Sequence, residues 1–328
     1  MAARPDAIGV GRSRPGWMVV AGKELAETLT SLRFVVVVVL LGLAAAVPVY
    51  AASGAIREAA EQASGASALF LALFTIGAEP VPSFVGLVGF IAPLLGVAFG
   101  FDAINGERAQ GTLARLLSHP IYRDDLINGK FAAGLLAIGF AIVAVTLLVA
   151  GLGIVRLGIV PTPPEVVRLF TWVGVTIVYV GLWLAVAMLC SVLVTRAATS
   201  ALIAIGLWLA LSLFGVLLAQ ILAGVLDPSG GSAVEADLAR ARLEQMLGFI
   251  NPGTVYAQAT LALLNPGVTA VDVPGLAQAI QLSQQIPSQL SIQQSLLIMW
   301  PYVVALLAAM VIAFVVSYLV FLRQEVRA

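Results

Sequence analysis

Residues 131–155, FAAGLLAIGFAIVAVTLLVAGLGIV, contain no Asp, Glu, Lys or Arg over 25 positions. As a helix this run extends about 37 Å at 1.5 Å per residue, more than the ~30 Å hydrocarbon thickness of a bilayer. In lipid a chain satisfies its backbone hydrogen bonds only as a helix or within a closed barrel. The apolar residues here are continuous rather than alternating every second position, which argues against barrel strands. The segment is read as a membrane-spanning helix, and the fold follows from finding its companions.

Five further runs of the same kind occur, giving spans at approximately 34–53, 84–104, 130–155, 169–195, 198–226 and 297–322. The whole chain is 61% hydrophobic and 10% charged, against roughly 45–50% and 25% in a soluble domain. The expected fold is an all-α polytopic membrane protein of six transmembrane helices. Cys190 is the single cysteine and His119 the single histidine, which leaves no intrachain disulfide and argues against a His/Cys metal site within one chain. The formal net charge of zero points to no nucleic-acid partner. The small residues of VYAASGA (49–55) after the first run invite a cleaved signal, but a basic leader of more than 30 residues favours an uncleaved helix.

Orientation comes from Lys and Arg. Arg4, Arg12, Arg14, Lys23 and Arg33 precede the first span, and Arg108, Arg115, Arg123 and Lys130 join the second to the third. With Arg196, Arg323 and Arg327, that side holds 12, while Arg57, Arg156, Arg168, Arg240 and Arg242 make 5 across longer loops. The positive-inside rule then predicts cytoplasmic termini for a multi-pass protein of the cell membrane.

Between the spans, residues 1–16 read as a flexible cytoplasmic tail. Residues 17–33 place Met18, Ala21, Leu25, Leu29 and Leu32 at helical spacing, with charges elsewhere, as in an amphipathic interfacial helix anchored by Trp17. The transmembrane domain occupies 34–328. Its first outer loop ends in ALFLALFTIGAEPVP, too short to span and suited to a re-entrant or surface position. The extracytoplasmic segment 227–296 contains helical spacing around AVEADLARARLEQMLGFI and a short piece bounded by Asn-Pro, NPGTVYAQATLALLNPG. A helical cap over the outer face, and a surface for an accessory protein, are the expectations there. Gly96 and Gly100 form a small-xxx-small pair suited to close helix packing, within one subunit or between two.

Catalytic chemistry is missing from the sequence. A phosphate-binding loop needs Gly-x-x-x-x-Gly-Lys-Ser/Thr, but Gly22-Lys23 is followed by Glu24 and Gly129-Lys130 by Phe131. Trp17 and Asp124 stand where the first glycines belong. The deep spans carry almost no ionisable residues, which disfavours a proton-coupled or sodium-coupled carrier. Asp102, near the cytoplasmic end of the second span, reads as an interfacial charge.

The charges concentrate instead in FDAINGERAQGTLARLLSHPIYRDDLINGK, residues 101–130. Read as helical over 104–118, this connection puts Ala109, Leu113, Leu116 and Leu117 on one face, and Arg108 and Arg115 on another. Glu107, Gly111, Thr112 and Leu113, followed by Leu116-Leu117, Pro120-x-x-Arg123 and Gly129-Lys130, are similar to the Glu-x-x-x-Gly-Thr-Leu signature of ABC-2 type transporter permeases. GKELAETLTSLRF (22–34) extends the likeness, and NPGTVY (251–256) resembles the permeases of the copper-maturation type found with nitrous oxide reductase.

That resemblance implies a non-catalytic permease subunit, paired with a second permease copy and two cytoplasmic ATPase subunits. ATP and magnesium would be held on the ATPase, and no cofactor on this chain. Residues 102–130 would be the coupling loop, with Glu107, Arg108, Gly111, Thr112, Leu113, Arg115 and Leu116 forming a cytoplasmic coupling helix that docks the ATPase. The family implies export. The competing readings are a membrane scaffold that docks a cytoplasmic partner, and a secondary carrier.

Overall fold

The computed structural model describes residues 15–51, 53–54, 69–78, 80–111, 122–226, 243, 246–265 and 290–324. Among the described residues the regular elements are helices, beside one isolated bridge between Ala78 and Val81. They are α1 (Gly16–Thr30), α2 (Leu32–Ala51), α3 (Leu69–Thr75), α4 (Phe84–Gly100), α5 (Asn105–Ala109), α6 (Arg123–Leu157), α7 (Pro163–Leu193), α8 (Ala197–Val225), α9 (Pro252–Leu264) and α10 (Ile292–Arg323).

Six of these regions have the length and composition to cross a membrane, and they fall where the apolar runs predicted. The third and fourth begin earlier than expected, because their opening turns are polar. Arg123, Asp124 and Asp125 start the 35-residue α6, where the carboxylates sit favourably at the positive end of the helix dipole. α6 closes at Gly158, whose φ of 70° suits a residue without Cβ and whose N–H donates to the Ile154 carbonyl.

The most buried span is α7: 72% of its most apolar window is buried, against 22% for α2, 17% for α8 and 11% for α10. The other spans therefore surround α7 and turn apolar side chains outward, such as Leu202, Leu213 and Phe214 on α8 and Ile312 on α10. Such exposure would be costly in water and is not in hydrocarbon. Small residues let α4 lie directly on α7. A Cβ at Gly96 would sit against the Val180 carbonyl oxygen and 2.7 Å from the Leu184 nitrogen. At Gly100 it would lie 2.8 Å from both the Ala187 Cβ and the Leu184 carbonyl oxygen. The glycine pair thus packs within the subunit.

The half of the bundle away from α1 departs from the expected cap. The short helix α3 is tucked into the bundle, with Phe70, Leu71, Leu73 and Phe74 buried and Phe74 packed edge-on against Phe84. Its first amides are held by α7: the buried Glu165 accepts from Phe70 N–H at 2.8 Å, and also from the N–H and hydroxyl of Thr162. One carboxylate therefore serves the N-termini of two helices.

α9 also descends between the spans rather than lying over them. Its first residues meet Leu211, halfway along the 29-residue α8, and Tyr179, halfway along the 31-residue α7. Arg168, counted above as an outer-loop charge, is 4% exposed and ties the other end of α9 in place. It donates to the Leu263 and Leu290 carbonyls and to Ser295 Oγ, at 2.6–2.7 Å. The remaining parts of the outer segment, 227–242 and 266–289, lie outside the described residues, as do the tail to residue 14 and the polar piece around Arg57.

The α4–α7 contact leads to a stability difference between two helical glycines. Gly96→Ala should lower stability by about 1–3 kcal/mol because backbone must move. Gly174→Ala, where the added carbon meets nothing within 4 Å, should be neutral or stabilising by up to about 1 kcal/mol. Thermal unfolding in detergent measures both, and equal midpoints for the two variants would contradict the packing described.

Candidate functional site

Charged and polar groups converge at the end of the bundle that carries α1, α5, the first turns of α6 and the last turn of α10. The chain leaves α4 through the turn 101–104, and Ser191 near the end of α7 catches it there. Ser191 Oγ accepts from the backbone N–H groups of Ile104 (3.0 Å) and Asn105 (3.1 Å), and all three residues are buried. Asn105 Nδ2 adds a bond to the Val194 carbonyl at 3.4 Å. The start of α5 is thereby fixed to α7.

Glu107 and Arg108 then reach in opposite directions. Lys130 Nζ lies 3.2 Å from Glu107 Oε1 and 2.8 Å from Glu24 Oε1, and its side chain is 8% exposed. One ammonium so bridges α5, α6 and α1. Arg108 donates to the Val192 carbonyl at 3.4 Å and to Gln324 Oε1. Gln324, just past α10, donates in turn to Val192, and its own carbonyl accepts from Arg123 at 3.0 Å. The ends of α7 and α10 and the start of α6 are joined through these two residues.

α1 is seated on α6 by contact and by charge. Trp17 N–H donates to Asp125 Oδ1 at 2.9 Å, which occupies an otherwise free amide at the start of α1. Gly129 permits the approach, since a Cβ there would lie 2.6 Å from the Val20 Cβ. Ala21 is buried, and Leu25 and Leu29 are half-buried, while Trp17, Met18 and Val19 stand exposed together. Arg33 forms a two-pronged bond with Asp102, at 2.8 and 3.2 Å, and lies 5.0 Å from the Phe101 ring centroid. A polar cavity of ≈ 370 Å³ opens among these groups, lined by Glu24, Glu27, Arg33, Asp102, Glu107 and Lys130. Partial burial disfavours the charge on Lys23, but the bond and charge of Glu27, with Glu24 and Glu107, outweigh it and hold its pKa above the ordinary value.

The predicted coupling helix is thus placed only in part. α5 stops at Ala109, and Gly111 follows in the left-handed region at φ 68°, so the helix read over 104–118 does not run through. Glu107 and Arg108 are bonded within the chain rather than held on a free face. Gly111 is exposed, whereas Thr112, Leu113, Arg115 and Leu116 lie outside the described residues. Lys130, Glu24, Ser191 and Gln324 were not among the candidates. Lys130 and Glu24 were legible as a topology charge, a polar helix face and parts of the family resemblance but not as site residues, and nothing local marks Ser191 or Gln324.

Six spans with α7 at their centre, and the connection after the second of them bonded to four other elements, define a multi-pass membrane protein of the permease type. The chain belongs to the ABC-2 family of transporter proteins, matching the family described as "ABC-2 family transporter protein" over residues 18–326. It is also similar to two curated proteins, each named "Probable ABC transporter permease protein NosY". For that of Pseudomonas aeruginosa the identity is 34% over 102 residues, covering 31% of this chain and 35% of the relative. For that of Stutzerimonas stutzeri it is 36% over 86 residues, covering 24% and 31%. The matched part is about a third of the length of these relatives.

The Lys130 bridge has a measurable consequence. Lys130→Met leaves two partly buried carboxylates facing each other and should loosen α1 from α6 by about 1–3 kcal/mol. Limited proteolysis after Lys23 should quicken accordingly, and Lys130→Arg should restore much of the protection. Unchanged cleavage in Lys130→Met would show that the Lys130 bridge is not needed to seat α1.

Proposed function

We propose that this chain is the non-catalytic membrane subunit of an ABC-2 type exporter, and that its α4–α6 connection receives a cytoplasmic ATPase. The observation that carries this reading is the set of tethers at that connection. A push or pull on residues 111–116 reaches α7 and α10 through Ser191, Arg108 and Gln324. It reaches α1 and α6 through Glu107 and Lys130. A simple loop between two spans would need none of these bonds.

In this reading Gly111, Thr112, Leu113, Arg115 and Leu116 meet the ATPase. Leu113 and Leu116 supply apolar anchors, and the left-handed Gly111 turns the chain toward the partner. Glu107 and Arg108 act behind that surface, converting movement of the docked segment into movement of the spans. ATP and magnesium are bound and hydrolysed on the partner. Two ATPase subunits and a second permease copy complete the assembly, with the path between the permeases and transport directed outward.

The excess of Lys and Arg on the α1 and α5 side supports an orientation with both termini in the cytoplasm and the protein in the plasma or inner membrane. The exposed Trp17, Met18 and Val19 then lie at the cytoplasmic interface, where an aromatic anchor is favourable. The names of the two relatives support the permease assignment, and the outer segment 227–296 is the place for an accessory protein.

Leu113→Asp with Leu116→Asp should abolish co-purification of the ATPase, weakening binding about 30-fold or more as expected for loss of interface anchors. The subunit should still fold and insert. Retention of the ATPase at unchanged affinity would refute the docking site. Substrate-stimulated ATP hydrolysis in liposomes separates a transporter from a scaffold that only holds its partner.

A further inference from the structure

The second large cavity lies in the opposite half of the bundle, where α9 enters between α4, α7 and α8. Its volume is ≈ 580 Å³, within the ~300–1,000 Å³ range of small-molecule sites. No Asp, Glu, Lys, Arg or His lines it among the described residues. Its polar groups are instead hydroxyls and amides, including Ser212, Asn251, Tyr179 and Thr260.

The wall is built rather than incidental. Tyr179 and Tyr256 stack with ring centroids 4.4 Å apart. Tyr179 donates to the Gly89 carbonyl at 3.0 Å, and the Tyr256 hydroxyl lies 3.0 Å from Thr176 Oγ1. Asn251 fixes the entry of α9 by donating to the Leu211 carbonyl and accepting from Gly253 N–H. Thr260, 6% exposed, lines the cavity next to Tyr256. On the rim, Phe90 is 47% and Leu261 37% exposed, beside Ala257. Phe90 also packs on Trp208 at 5.0 Å.

We infer that this cavity binds an uncharged, single-chain amphiphile carrying hydroxyl or carbonyl groups. A charged headgroup would lose its hydration there and find no countercharge, whereas a neutral one can exchange hydrogen bonds with Ser212 and Asn251. The apolar part lies against the tyrosine stack and leaves past Phe90 and Leu261 into the membrane. The site belongs to one subunit and needs neither the ATPase nor a second copy.

The test uses the full-length subunit in phosphatidylcholine nanodiscs without ATPase, so its outcome is independent of the docking site. A photoreactive monoacylglycerol is compared with a lysophosphatidate bearing the same chain, and labelled peptides are mapped. Monoacylglycerol should label 83–90 and 251–261 about tenfold above lysophosphatidate, the equivalent of one strong discriminating interaction. Ala257→Trp, which fills the mouth, should reduce that labelling about fivefold or more, and the conservative Ser212→Ala about threefold, as for one lost hydrogen bond. Labelling of the outward face of α8 at 213–222 should not change, which also reports that the variants are folded. Equal labelling by the two probes, or labelling indifferent to both substitutions, would overturn the proposal and reduce the cavity to ordinary lipid contact.

Discussion

The close approach of α4 to α7 governs most of the structure. Lipid offers little hydrophobic force to press helices together, so association relies on contact at short range and on polar groups that find partners. Gly96 and Gly100 allow backbone to meet backbone beside Val180, Leu184 and Ala187. That contact sets the height at which α4 ends, and so brings the 104–105 amides to Ser191. From there Glu107 faces Lys130 and Arg108 faces Gln324. A larger side chain at either glycine would displace the whole connection along with the helix.

Several polar residues inside the bundle follow a second rule: they sit where helices end. Glu165 serves amides at the starts of α3 and α7, and Arg168 serves carbonyls beside the end of α9 and the start of α10. Asn251 closes the entry of α9 against the middle of α8. Helix termini leave backbone groups without intrahelical partners, and inside a bilayer water cannot supply them. The two short helices α3 and α9 can therefore exist at depth only because these side chains, drawn from other spans, complete them.

The six spans were legible because uncharged length is a one-dimensional property, and the residues that count lie side by side in the chain. The depth of α9 was not. NPGTVYAQATLALL gives a short helix with a start signal, but the groups that hold it, Leu211, Thr176, Tyr179 and Arg168, lie roughly 40 to 95 positions away. Counting Arg168 as a loop charge used its place in the chain and not its burial. At the candidate docking connection, periodicity located Glu107 and Arg108 correctly on α5 yet treated them as surface charges. Their partners, Lys130 and Gln324, lie 23 and 216 positions on. Gly111 was read as lying within a docking helix, while its left-handed φ puts it just past the end of α5.

The 35-residue α6 is longer than a bilayer requires. At about 1.5 Å per residue it measures about 52 Å, of which about 12 Å, from Arg123 to Lys130, precedes the uncharged stretch. That protruding end is where α1, α5 and the tail of α10 are attached. The helix consequently has the proportions of a lever pivoting in the membrane. A rigid tilt of about 5° about its centre would carry its charged end sideways by about 2 Å, a distance comparable to the span of a hydrogen bond. Groups fastened there would feel a rotation too slight to disturb the packing at the pivot.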